Sequence, residues 1–159
     1  MTQHFPAMAA ALLAICAFAP GGCAEPQHGA EPQAEGAALD AREAIMLSSA
    51  ERDLVLGEMR LMLESTEGVV AGLAANDMVA IEQAAARASP NAPGTVDQAL
   101  HGALPEPFLH SGAAAHGGFE DIARLAREGA SPEAINARLS QTLHQCTSCH
   151  ATYRVEVVE

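Results

Sequence analysis

Three side chains carry the chemistry of this chain: Cys146, Cys149 and His150, in the run Cys146-Thr147-Ser148-Cys149-His150. Two thiols three positions apart, with a histidine directly after the second, is the pattern by which c-type haem is attached covalently. On a helix, residues at i, i+3 and i+4 share one face. Both thiols can then add to the two vinyl groups of one porphyrin while the imidazole of His150 reaches its iron from the same side. A thioredoxin-like redox pair would sit near a βαβ pattern, often at a helix N-terminus, and the sequence offers neither. A structural zinc site needs four ligands, usually from a second close pair. The only other cysteines, Cys16 and Cys23, fall in a stretch that reads as a leader.

Composition narrows what can surround these residues. The chain has 159 residues, enough for one domain plus a leader. It is 49% apolar but has no Trp, one Tyr and four Phe, so aromatic bulk cannot fill the core. Helices packed through Ala, Leu, Val and Met, around an inserted macrocycle, suit it better. The net charge is −12 and all eight basic residues are Arg. That excludes nucleic-acid binding through a basic patch and points to partners with a basic docking surface. No nucleophile motif, phosphate-binding glycine loop or carboxylate pair suggests an enzyme.

Residues 7–19 form an apolar run shorter than the roughly 20 residues of a membrane span, so residues 1–23 read as a signal peptide or lipoprotein signal. Cleavage could follow Ala17-Phe18-Ala19. Alternatively, Gly21-Gly22-Cys23 resembles the end of a lipoprotein box, with Pro20 in place of the usual aliphatic residue and a lipid on Cys23. Either route leads to the periplasm, where cytochromes bearing this haem motif mature. Residues 24–46, rich in Ala, Glu, Pro and Gln, read as a flexible spacer, and as a tether if Cys23 is lipidated. Residues 47–159 are left as the folded domain.

Helices must position the motif. Ser48 and Glu51 have capping-box spacing, and Val55, Met59, Met62, Val69, Val70 and Leu73 follow at helical intervals. Asn76-Asp77 marks a break with a new N-cap, and a short second helix over 78–88 ends before Ser89-Pro90. A third runs from near Leu104-Pro105-Glu106-Pro107 to Glu128, with Leu109, Ala113, His116, Phe119 and Ala123 along one side, a kink expected at Gly117-Gly118, and Gly129 as C-cap. Ser131-Pro132-Glu133 opens a fourth, whose stripe is Ile135, Leu139, Thr142, Cys146, Cys149 and Tyr153. Four helices with short connections and no strand pattern predict an all-α, antiparallel four-helix bundle with a covalently attached haem on the C-terminal helix. His116 is expected as a packing histidine, with ligation as the alternative. His101, His110 and His144 are expected on loops or the surface.

Residues 47–155 resemble the class II c-type cytochromes, the family of cytochrome c′ and cytochrome c-556. The most specific part is Cys146-Thr147-Ser148-Cys149-His150 followed by Tyr153-Arg154 near the C-terminus. The resemblance implies that Cys146 and Cys149 carry the thioethers of one haem c, that His150 is the proximal iron ligand, and that Arg154 lies near the haem edge. In c-556-like members a first-helix methionine followed by a basic residue binds the iron. Met59-Arg60 matches, with Met62 as runner-up. With Met59 the implied role is single-electron transfer. Without a sixth ligand, the role is that of a five-coordinate protein binding nitric oxide or carbon monoxide. Related bundles often dimerise, and the sequence leaves the oligomeric state open.

Overall fold

The computed structural model describes residues 40–90, 100 and 102–158. The expected leader with Cys16 and Cys23, the spacer up to residue 39, and His101 lie outside the described residues. In chain order the elements are β1 (Glu43–Leu47), α1 (Ser49–Ala75), α2 (Met78–Ala86), α3 (Glu106–Arg127), α4 (Pro132–Thr152) and β2 (Tyr153–Val157). The protein is mostly helical, with one small two-stranded sheet.

The helix boundaries follow local chemistry. Ser48 accepts from the Glu51 amide while Glu51 reaches back to the Ser48 amide at 2.8 Å, which completes the capping box. Asn76 takes a left-handed conformation (φ 53) and closes α1, and Asp77 caps α2 through the Ala80 amide. Ser131 caps α4 with Pro132 in its first turn, and Gly129 ends the turn after α3 with φ 72. Gly117 and Gly118 lie inside an uninterrupted α3.

One apolar cluster joins Val69 of α1 to Ile81 and Ala85 of α2, Phe119 and Ile122 of α3, and Ile135 and Leu139 of α4. Missing side chains make its close approaches. A Cβ on Gly68 would lie 2.7 Å from the Ala84 Cβ, and one on Gly72 would lie 2.6 Å from Ile81 Cγ1. A Cβ on Gly118 would overlap the buried Thr142 side chain, so this glycine sets how near α3 comes to the motif helix. The buried face of α1 runs Val55, Ser65, Val69 and Gly72, while Val70, expected on it, is 52% exposed. Steps of three and four from Val55 through Met59 and Met62 reach Ser65 and Val69, leaving Val70 one position off the stripe.

The sheet departs from the all-helical expectation. β1 and β2 pair in parallel with Glu43 opposite Tyr153 and Leu47 opposite Val157. Residues 43–46 therefore belong to the folded unit that begins at Asp40, not to a spacer. Tyr153 leaves the helical stripe: it is the C-cap of α4, in extended conformation, and starts β2. Alternation explains the strand, since Ile45 and Leu47 turn inward with Val55 and Leu100 while Met46 faces out. This second cluster is flanked by Met59, Leu104, Phe108 and Tyr153, with the last two rings edge to face at 5.7 Å.

Candidate functional site

An apolar cavity of about 90 Å³ opens between the first half of α1, the start of α3 and the last turns of α4. Cys146, Cys149 and His150 of α4 all line it, as i, i+3 and i+4 spacing requires. From α1 come Val55, Glu58, Met59 and Met62, so both methionines singled out by the sequence border the same space as the two thiols. Leu104, Phe108 and Ala115 complete an apolar wall.

The donor set fits a covalently held haem. Both thiols are free, half-buried and one helical turn apart, with an imidazole adjoining and thioethers on a neighbouring helix. The cavity is smaller than the roughly 300–1,000 Å³ of sites that enclose small molecules, so a macrocycle requires the surrounding side chains to part. Among the described residues no three His, Cys, Asp or Glu side chains converge as a metal cluster. Burial pushes both thiols above the ordinary thiol range, and at Cys149 the neighbouring Cys146 adds to the effect. A redox-active pair needs the opposite shift, because the thiolate is the nucleophile.

His150 is also held through its backbone. Arg42 Nη1 donates to the His150 carbonyl at 3.3 Å, and the same guanidinium grips Asp40 through Nε at 2.9 Å and Nη2 at 2.6 Å. A cation there suits the negative end of α4. In return Arg42 holds the Asp40 carboxyl down at about 2. Arg154 does not line the cavity. Its Nε donates to the Arg42 carbonyl at 3.1 Å across the sheet, and its guanidinium pairs with Glu156.

His116 is buried, as expected of a packing histidine, and both of its ring nitrogens are engaged. Nδ1 lies 2.8 Å from the Ala88 carbonyl and Nε2 lies 3.0 Å from Glu58 Oε1. A carbonyl can only accept, so Nδ1–H is the donor to Ala88. Neither nitrogen is available to a metal in this arrangement. His110 and His144 are exposed, and His144 Nε2 lies 3.4 Å from Ser148 Oγ.

Glu58, Phe108 and Arg42 escaped the sequence reading. Glu58 sits three after Val55 and four before Met62, so the stripe itself could have flagged it. Phe108 belonged to an unassigned helix start, and Arg42 acts over a separation of 108 residues. Comparisons with family models, curated proteins and solved structures return no match.

Proposed function

We propose that the chain is an exported monohaem c-type cytochrome, a single-electron carrier without substrate turnover, built as a four-helix bundle with a His/Met-ligated low-spin haem. The observation that carries this reading is the sharing of one apolar cavity by Cys146, Cys149 and His150 with Met59 and Met62. Haem, when bound, supplies a one-electron couple whose potential is raised by histidine and methionine ligation. Cys146 and Cys149 would hold it through two thioethers, His150 and Met59 would be its iron ligands, and Arg42 fixes the end of the helix that carries His150. Val55, Leu104 and Phe108 keep water from the site. Periplasmic localisation, a lipid anchor at Cys23 and docking to basic redox partners belong to the same proposal. They are supported by the leader-like 1–23 segment and the net charge of −12.

Intact mass of protein from cells competent in cytochrome maturation tests the attachment, and a polypeptide without the mass of one haem would refute it. A visible spectrum tests the ligands. A sulfur-to-iron charge-transfer band in the red is expected, lost in Met59→Ala and kept in Met62→Ala. A high-spin spectrum in the unmodified protein would replace the carrier by a gas-binding protein.

A further inference from the structure

The polar group in the cavity wall is as informative as the thiols. Glu58 lines the thiol-bordered cavity and also a smaller void of about 40 Å³ that it shares with His116, Leu104 and Phe108. The two side chains are well buried, with 19% of Glu58 and 9% of His116 exposed, and they belong to different helices. The approach of α1 to α2 is made by Gly68 and Gly72, in its second half. α1 as a whole makes only sparse backbone contact with α4. The Glu58–His116 bond instead joins the first half of α1 to α3. Its far end is fixed in turn, because His116 Nδ1–H donates to the Ala88 carbonyl just past α2.

We infer that Glu58 and His116 are positioning residues whose hydrogen bond latches the first half of α1 to α3 beside the cavity and so holds Met59 in the wall that Cys146 and Cys149 line. Breaking the bond removes one hydrogen bond from a largely buried carboxylate or imidazole, which destabilises the closed arrangement locally. Release of α1 would expose Met59. The latch does not depend on what the cavity binds.

Methionine oxidation tests it on the full chain. Dilute peroxide converts accessible thioethers to sulfoxides, and peptide mass spectrometry gives a rate at each methionine. Glu58→Ala and His116→Phe should each speed oxidation of Met59 by about tenfold, the factor that ~1.4 kcal/mol makes. Glu58→Gln, which keeps a hydrogen-bonding group at the same place, should restore most of the protection. Met46, already 49% exposed on β1, is the unchanged control. Unchanged rates at Met59 in both disruptive variants would overturn the latch, as would equal acceleration at Met78 of α2, the sign of general unfolding. If His116→Phe does not fold, the Glu58→Ala and Glu58→Gln pair decides alone. Intact mass reports haem separately, so the cytochrome reading can fail while the latch stands.

Discussion

The two apolar clusters divide the protein into a closed end and an open one. At the closed end glycine and alanine let α1, α2, α3 and α4 pack around Val69, Ile81, Phe119, Ile122 and Ile135, each 0–1% exposed. At the open end Met59, Leu104 and Phe108 are only half-buried and surround a cavity bordered by two thiols, two thioethers and a carboxylate. Rigidity and reactivity are thus kept apart along the same helices. The first half of α1 and the last turns of α4 belong to the reactive end, and the remainder of each belongs to the closed one.

Paired truncations would break that division most directly. Phe119→Ala should cost about 3–5 kcal/mol in urea unfolding, whereas Phe108→Ala should cost clearly less, since its site already borders a void that can relax. Equal losses would show that the ends do not differ. Gly118→Ala should destabilise by about 1–3 kcal/mol through its overlap with Thr142, and Thr142→Ala in the same chain should recover much of the loss in a double-mutant cycle. Ser65 sharpens the comparison from the other side. Its hydroxyl is buried at 0% exposure with no hydrogen-bond partner among the described residues, so Ser65→Ala should raise stability by roughly 0.5–1 kcal/mol in thermal melts. The smallest effect is expected at the exposed clamp beyond the open end. Asp40 drops from its ordinary 3.8 to about 2, so its contribution is complete above pH ~4 and fades as pH falls toward 2. Asp40→Asn should lower the melting temperature slightly at pH 7, and the difference from the unmodified protein should close as pH falls toward 2.

The parts of the fold that short-range chemistry dictates were legible in the sequence. Ser48 with Glu51, Asp77, Ser131 with Pro132, and Gly129 each announce a helix end within four residues of chain. The coincidence of Cys146, Cys149 and His150 on one face follows from helical spacing alone. The sheet was not legible, because a five-residue run such as Glu43–Leu47 has no partner nearby to identify it as a strand. The α1 stripe was misjudged by one position at Val70, since Val69 and Val70 are equally apolar and only packing against α2 chooses between them. His116 could be read as a packing residue, but its carboxylate partner is 58 positions away on another helix.

The parallel pairing of β1 with β2 has a bearing on how the molecule is made. Arg42 and Arg154 meet across 112 residues, so this ribbon closes a loop that contains α1 to α4, and such distant contacts are slow to form. The ribbon cannot zip up before α4 has been synthesised. Until it does, Arg42 is absent from the carbonyl of His150, and the last turn of α4 lacks that tie to the start of the folded unit.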